Sequence, residues 1–377
     1  MTVAIVLLSG CCSGKVSVTA QKVCGQDAYE LRNQYVAADI VPDMSGIFVH
    51  LRSKNGSRWH RMTKPLVCSV TVDDLLPEIY EQNDAGGRAC LWGHPIRVYQ
   101  LKTLRAEVDR NGNGHLEMNG RYWLSTNLSM TRCVKLKPDR SMFTVVTKVT
   151  NIGKEPVTVS LWENFSGLLI TGIHADELIF PVRGNVSRIG KDGTRHFPED
   201  QLARKNPGTD KGVYRLPPNG NWMARRQTNA PLLVLRFPQG LGKNGMFYTH
   251  YGAEPTVNTS EAIREPFTLK PGESGSFEIE YLVFAGLDNM NAFCGDVVIN
   301  CCLEKDEIVF QLASFRKLDP GKLRLPNIGE SEVGLLSPGD SRSIRFKRPA
   351  SLEKNIQGVL SNVGDFSCYI AEQLKRE

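Results

Sequence analysis

The stretch FTVVTKVTNIGKEPVTVSLWE, residues 143–163, decides the fold class. Its first half alternates between two sets of side chains from Phe143 to Thr150, which is the period of a strand with one buried face. The residues at 151–153, Asn-Ile-Gly, favour a turn. Val157, Val159 and Leu161 then repeat the alternation. The pattern predicts two successive strands that form a hairpin.

The same period recurs along most of the chain. Residues 35–40 and 46–51 alternate, and Asn55-Gly56 follows as a strong hairpin signal. Residues 232–237 are almost continuously apolar, which is typical of a strand buried on both faces. Phe277, Ile279 and Tyr281 share one face opposite Glu278 and Glu280. These segments predict an all-β protein, built as a sandwich.

Composition narrows the class further. The chain has 377 residues, a formal net charge of +6 and 41% hydrophobic residues, which argues against disorder and coiled coil. With 34 Gly and 20 Pro, many short strands and turns are favoured over long helices. Residues 181–230 are basic. Their aromatic residues do not alternate with the basic ones, as they do in surfaces where nucleic-acid bases stack on aromatic side chains. We therefore expect no nucleic-acid partner.

The C-terminal third is expected to contain a smaller β unit and a final helix. Residues 307–313, 322–325 and 341–346 have strand character. Beyond Pro349, apolar residues from Leu352 to Val363 recur at helical spacing. We predict a main sandwich over 25–290, a small β-sandwich-like extension over 295–349 and a helical segment over 350–377.

The first residues resemble the leader of an exported lipoprotein. A short apolar run ends in Leu8-Ser9-Gly10-Cys11, which matches the sequence at which a lipid is attached to cysteine. We predict a signal over 1–12, a lipid anchor at Cys11 and a membrane-anchored protein in the periplasm or on the cell surface. The alternative is a buried first strand. Export permits disulfides among the ten cysteines, none of which has zinc-site spacing.

Opening a sugar ring needs a base and an acid, for which a carboxylate and an imidazole are a natural pair, whereas glycoside cleavage needs two carboxylates. In an extended strand His250 and Glu254 point to one face, about 13 Å apart, and Trp side chains stack on sugar rings. Each residue also has a plain structural alternative. The candidate catalytic residues are Glu254, Glu163, His94 and His250, and the candidate substrate-binding residues are Trp92, Arg97, Trp162 and His174.

One segment resembles a calcium loop. Residues 109–114, Asp-Arg-Asn-Gly-Asn-Gly, place oxygen ligands at alternate positions, but the twelfth position is Gly120 and not the expected glutamate. The flanking residues have strand character. We predict a hairpin tip here, with no metal and no cofactor.

Three segments together resemble galactose mutarotase-like proteins. They are residues 35–56 (YVAADIVPDMSGIFVHLRSKNG), 121–166 (ending in VTVSLWENFS) and 267–284 (FTLKPGESGSFEIEYLVF). The resemblance implies a β-supersandwich with a carbohydrate site on its concave face. Aldose 1-epimerases of this fold carry a histidine where this chain has Trp162-Glu163-Asn164-Phe165, a departure that puts mutarotation by the usual residues in doubt.

Two functions stay open. The first is an exported carbohydrate-binding protein that acts on a sugar or glycan by Glu/His acid–base chemistry, as an epimerase-like isomerase or a glycan-processing enzyme. The alternative is a non-catalytic glycan-binding or envelope-assembly lipoprotein.

Overall fold

The computed structural model describes residues 14–23, 25–44, 46–61, 66–73, 101–121, 127–168, 176–182, 185–189, 212–216, 220–227, 231–251, 257–287 and 289–370. Within these ranges the regular elements are strands, apart from a single 3₁₀ turn at Pro42–Met44. None of the helical structure in this part of the chain could span a membrane. The predicted all-β class is confirmed.

The N-terminal strands form a five-stranded antiparallel meander. Its strands are β1 (Ser17–Val23), β2 (Gln26–Arg32), β3 (Val36–Val41), β4 (Ile47–Asn55) and β5 (Arg58–Arg61). Gly56 has a φ of 57° in the turn between β4 and β5, where a side chain would be strained. The predicted hairpin at Asn55-Gly56 is confirmed.

Two larger sheets follow. The nine-stranded sheet contains, in spatial order, β13 (Asn185–Ile189), β12 (Asp176–Val182), β15 (Trp222–Gln227), β16 (Leu232–Arg236), β20 (Ser274–Phe284), β10 (Met142–Asn151), β9 (Leu128–Leu136), β8 (Gly114–Arg121) and β7 (Lys102–Val108). The six-stranded sheet contains β14 (Gly212–Leu216), β17 (Met246–Tyr251), β18 (Val257–Ile263), β11 (Val157–Leu168), β19 (Phe267–Leu269) and β6 (Leu66–Asp73), which pairs with β11.

The main core lies between these layers. Phe143, Phe277 and Tyr281 from the nine-stranded sheet pack in one cluster with Leu161 from the six-stranded sheet and Phe48 from the N-terminal sheet. Alternating residues on each strand fill this space, as expected for a sandwich.

The predicted hairpin between β10 and β11 is wrong, because the two strands belong to different sheets. The side chain of Asn151 donates hydrogen bonds to the carbonyl oxygens of Glu155 (2.8 Å) and Leu269 (3.0 Å), and so holds the chain as it crosses the sandwich. The alternation of buried and exposed residues identifies both strands. The same alternation occurs when two strands pair in one sheet and when they face each other across a core, so it does not predict which strands pair.

The C-terminal strands form two four-stranded sheets around a second core. One sheet contains β21 (Ala292–Cys294), β22 (Val297–Glu304), β23 (Glu307–Ser314) and β26 (Ser341–Lys347); the other contains β25 (Gly329–Val333), β24 (Gly321–Leu325), β27 (Asn355–Leu360) and β28 (Gly364–Tyr369). The strands predicted at 307–313, 322–325 and 341–346 are present. The boundaries of the predicted units stay a prediction.

A third apolar cluster joins the C-terminal sheets to the main sandwich. Val234 and Phe284, on the outer face of the nine-stranded sheet, pack with Val298, Ala313 and Phe315. This face of the sandwich is therefore covered by protein.

The predicted C-terminal helix is wrong over 355–369, where β27 and β28 form a hairpin. Ile356, Gly358 and Leu360 are buried and their neighbours are exposed, so the true period is two. Ile356, Val359 and Val363 match a helical spacing by coincidence. Residues 371–377 lie outside the described residues.

Gly358 allows a test that separates strand from helix. A Cβ at this position would meet the ring of Phe366 and lie 2.9 Å from Cδ2 of Leu325. We expect Gly358→Ala to lower the free energy of unfolding by about 1–3 kcal/mol through overpacking. In a helix the same change would raise it by about 0.5–1 kcal/mol. Denaturant unfolding measures the sign, and the exposed neighbour Gln357→Ala should stay within about 0.5 kcal/mol.

Candidate functional site

Most of the predicted site residues cannot be placed. Glu254, His94, Trp92, Arg97, His174 and Cys11 lie outside the described residues. Three predicted positions, Glu163, Trp162 and His250, fall on described strands.

Trp162 and His250 lie on one sheet. Trp162 on β11 pairs with Ile263 of β18, and His250 on β17 pairs with Thr259 of the same strand. The two positions are thus two strands apart and offset by four residues, or about 13 Å, along the strand direction. The six-stranded sheet carries both positions without bringing their backbones into contact.

Glu163 is in the interior of the sandwich. Its Oε1 accepts a hydrogen bond from Nη2 of Arg132 at 2.7 Å, and its Oε2 accepts one from Nη1 at 3.1 Å. The hydroxyl of Tyr281 also donates to Oε1. Arg132 and Glu163 are both fully buried, with 0% of their surface exposed. The carboxylate that the sequence suggested as a base therefore offers no surface to a ligand.

This buried pair links the two layers. Arg132 lies on β9 and Tyr281 on β20 of the nine-stranded sheet, whereas Glu163 lies on β11 of the six-stranded sheet. Nη1 of Arg132 also donates to Thr147 on β10 at 3.0 Å. Burial works to lower the pKa of Arg132, but the charge of Glu163 and the Tyr281 hydroxyl outweigh it and raise the pKa. The guanidinium stays charged, so the contact is an ion pair.

The structure reveals a polar cluster that the sequence reasoning missed. We call it the Asp39 cluster, and it comprises Gln21, Glu30, Asp39, His50 and Arg52 on the outer face of the N-terminal sheet. Register places these residues together: Asp39 pairs directly with Glu30 on one side and with His50 on the other. Inward-facing neighbours such as Ala38, Ile40 and Leu51 belong to the main core.

Asp39 is the centre of this cluster. Its Oδ2 is 2.7 Å from Nδ1 of His50, and its Oδ1 accepts hydrogen bonds from Nη2 of Arg52 and Nε2 of Gln21, each at 2.8 Å. Arg52 also donates to Glu30 at 2.6 Å. Asp39 is only 5% exposed, whereas the side chains of His50 and Arg52 keep 22% and 27% of their surface. A carboxylate and an imidazole are thus held in contact below a partly open surface.

An aromatic side chain lies close to the cluster. Trp59 on β5 pairs with Lys54, two residues beyond Arg52 on β4, and so shares the outer face of the sheet. The guanidinium of Arg32 lies 4.9 Å from the centroid of the Trp59 ring, a cation–π contact that fixes the indole. The face therefore combines fixed polar groups with a half-buried aromatic ring.

A sequence signal for this cluster was present. Asp39 is the single charged residue in the strand VAADIV, and His50 lies across the following turn in the next strand. A charge inside an apolar strand needs a partner. The pairing register, which brings His50 and Glu30 to its sides, could not be read from one segment alone.

The calcium-like segment is a hairpin tip, as predicted. Oδ1 of Asp109 accepts hydrogen bonds from the backbone N–H groups of Asn111 (2.8 Å) and Asn113 (2.9 Å), and Oδ2 is 2.8 Å from Nε2 of His115. Hydrogen bonds from Asn113 hold the pKa of Asp109 well below its usual range. Within the described ranges, no group of three or more His, Cys, Asp or Glu residues could hold a metal ion.

No protein-family model matches the chain, and no curated protein matches its sequence. Some solved structures are similar to this chain. A galactose mutarotase-like protein from Clostridium acetobutylicum is 10% identical, with a TM-score of 0.47 over 71% of this chain and 98% of its own. A galactose mutarotase related enzyme from Lactobacillus acidophilus is 12% identical, with a TM-score of 0.41 over 68% and 97%.

An α-galactosidase from Geobacillus stearothermophilus is also similar, at 12% identity and a TM-score of 0.40, over 72% of this chain and 41% of its own. Because the identities are 10–12% and the TM-scores are below 0.5, the function has to be argued from the residues of this chain.

The buried pair generates a stability prediction. We expect Glu163→Gln to lower the free energy of unfolding by about 3–5 kcal/mol, because it leaves the Arg132 charge buried without its counter-ion. The double variant Arg132→Met/Glu163→Leu should lose clearly less than the sum of its single variants. Denaturant unfolding of all four proteins of the cycle measures this coupling.

A matched control is the exposed pair of Arg345 and Glu307, 2.7 Å apart, where Glu307→Gln should cost less than about 1 kcal/mol. An unchanged unfolding midpoint for Glu163→Gln would contradict the structural role. Such a result, combined with lost turnover on a sugar, would support the catalytic prediction for Glu163.

Proposed function

We propose that this protein binds a carbohydrate on the outer face of its N-terminal sheet, at the Asp39 cluster and Trp59. The observation that carries the proposal is the combination on one face of a half-buried polar network and an aromatic ring, each held in place by its neighbours. Similar solved structures include galactose mutarotase-like proteins and an α-galactosidase, which is consistent with this ligand class.

The chemistry of the cluster suits a sugar. Sugar hydroxyls both donate and accept hydrogen bonds, and Arg52 supplies N–H donors while Glu30 and Asp39 supply acceptor oxygens. The apolar face of a pyranose ring packs on an aromatic side chain such as Trp59. Because these groups are already hydrogen-bonded or stacked, little side-chain ordering is left to oppose binding.

Among the predicted residues, Trp162 lies on a strand that can be related to this face. Strand β4 has Cα atoms within 8 Å of β6, which pairs with β11 of the six-stranded sheet. The strand that carries Trp162 is thus close to the N-terminal sheet. Glu254, His250, His94, Trp92, Arg97 and His174 stay candidates from the sequence for catalysis or sugar binding.

We further propose that His50, oriented by Asp39, transfers the proton if the sugar is turned over. An imidazole that is held by a carboxylate is a common acid–base arrangement, and the 2.7 Å contact meets its geometric requirement. The Glu/His chemistry suggested by the sequence would then use this histidine as its imidazole, and Glu254 stays the candidate carboxylate. Export and lipid attachment at Cys11 belong to the same proposal, supported by Leu8-Ser9-Gly10-Cys11.

Non-catalytic glycan binding is the second candidate. It is favoured by the burial of Glu163 in its pair with Arg132, which removes one of the two carboxylates suggested for catalysis. In this form the same face would hold a glycan without proton transfer, in an envelope lipoprotein.

Variants of Trp59 and of the Asp39 cluster, with a control at a separate His–Asp pair, test the proposal. Thermal shift and titration calorimetry of the full chain against a panel of mono- and oligosaccharides should identify a ligand. We expect Trp59→Ala and Arg52→Met to weaken its affinity at least tenfold, about 1.4 kcal/mol. His115→Gln, which changes the equivalent pair at the β7–β8 hairpin, should leave the affinity unchanged.

Turnover separates the two candidates. If the protein is an enzyme, His50→Gln should lower the rate of anomer exchange or glycan cleavage by about 100-fold or more, with a much smaller change in affinity. Binding without any turnover would select the non-catalytic function. A folded protein that binds no sugar in the panel, or one whose binding is insensitive to Trp59→Ala and Arg52→Met, would refute the location proposed here.

A further inference from the structure

The second core contains a cluster of thiols that the proposed function does not use. Cys294, Cys301 and Cys368 are buried in this core, and none of the three is in a disulfide in the structure. Among them, Cys301 and Cys368 lie on different sheets, on β22 and β28.

These two cysteines meet across the core. Both belong to the second apolar cluster, and the thiol of Cys301 is in hydrogen-bond contact with that of Cys368. Strands β21 and β22 each have Cα atoms within 8 Å of β28, so the two sheets approach each other along the strands that carry Cys301 and Cys368. A disulfide needs Cα atoms within about 7 Å and sulfur atoms that close to about 2.0 Å.

The neighbouring cysteines are placed differently. Cys302 follows Cys301 directly on β22, so its side chain points to the opposite face of the sheet. Cys294 donates its thiol hydrogen to the carbonyl oxygen of Gly364, at 3.2 Å. The structure thus singles out one pair that bridges the two sheets.

We propose that Cys301 and Cys368 form a disulfide that joins the two C-terminal sheets when the chain folds under oxidising conditions. The oxidant is a low-molecular-weight or protein disulfide. The thiolate of one cysteine attacks it and releases one thiol, and the second cysteine then attacks the mixed disulfide and releases the other. The two cysteines lose two protons and two electrons in total, and the oxidant becomes two thiols.

Burial determines when this reaction occurs. Cys301 is 0% exposed and Cys368 is 2% exposed, so an external disulfide does not reach them in the folded protein. The hydrogen bond with Cys368 and burial raise the pKa of Cys301, which keeps it a thiol. Oxidation therefore takes place during folding or on transient opening of the sheets.

Refolding the full chain with oxidised glutathione tests the proposal. Free thiols are alkylated, the disulfides are reduced, and the released thiols are labelled with a second reagent for mass spectrometry. Trypsin leaves Cys294, Cys301 and Cys302 on one peptide, because no Lys or Arg lies between 270 and 305. Fragment spectra are therefore needed to assign the label to one residue.

We expect the second label on Cys301 and Cys368 in equal amounts. The oxidised protein should unfold at a higher temperature than the reduced one, and dithiothreitol should remove the difference. Cys301→Ala and Cys368→Ala should each abolish the pairing and this difference, whereas Cys302→Ala and Cys294→Ala should retain both.

A different pairing, or two free thiols at Cys301 and Cys368 after oxidative refolding, would overturn the proposal. The labelling uses the unmodified chain, so this outcome does not depend on whether the variants fold. Incubating the folded, reduced protein with the same oxidant should give at least tenfold slower oxidation than refolding does. Sugar binding is measured separately, so failure of either proposal leaves the other intact.

Discussion

The ion pair of Arg132 and Glu163 constrains the whole sandwich. A buried charge is tolerated only where a counter-ion and hydrogen bonds compensate for lost hydration. Here the compensation comes from β10, β11 and β20 together, through Thr147, Glu163 and Tyr281. A shift of one residue in any of these strands would turn the side chain that contacts Arg132 to the other face of the sheet. The pair therefore specifies register across two sheets, which apolar contacts alone would leave less strictly defined.

The polar surface depends on the same constraint. Tyr281, which binds Glu163, also stacks on Phe48 at 4.7 Å between ring centroids. Phe48 lies on β4, whose inward side chains enter the core while His50 and Arg52 face outward. Phe48 and His50 are two residues apart yet face opposite sides, because the pairing of β3 with β4 shifts register between Asp39 and Ile40; beyond this bulge Leu51 is again inward, between His50 and Arg52. The distances within the Asp39 cluster are thus set by packing on the opposite side of the sheet.

The sequence predicts strands well because the two-residue period can be seen within one segment. Strand pairing depends on segments that are far apart in the chain, so one segment does not reveal it. The alternation at 143–163 gave both strands and the wrong partnership for them. Gly358 and Val363 belong to a hairpin that a helical spacing imitates by chance. Glu163 could have been placed correctly, since it shares its parity with Val157, Val159 and Leu161, which face the core. Asp39 was overlooked because its partners come from other strands.

The position of the C-terminal sheets limits where a ligand could bind. They cover Trp222, Val234 and Phe284 on the outer face of the nine-stranded sheet. Apolar residues placed there by the alternation of β15, β16 and β20 would otherwise face water, at a cost of about 25 cal/mol for each Å² of exposed apolar surface. Covering this face therefore stabilises the sandwich and closes it to ligands. The Asp39 cluster lies on the outer face of a different sheet, the N-terminal one, where His50 and Arg52 keep part of their surface exposed.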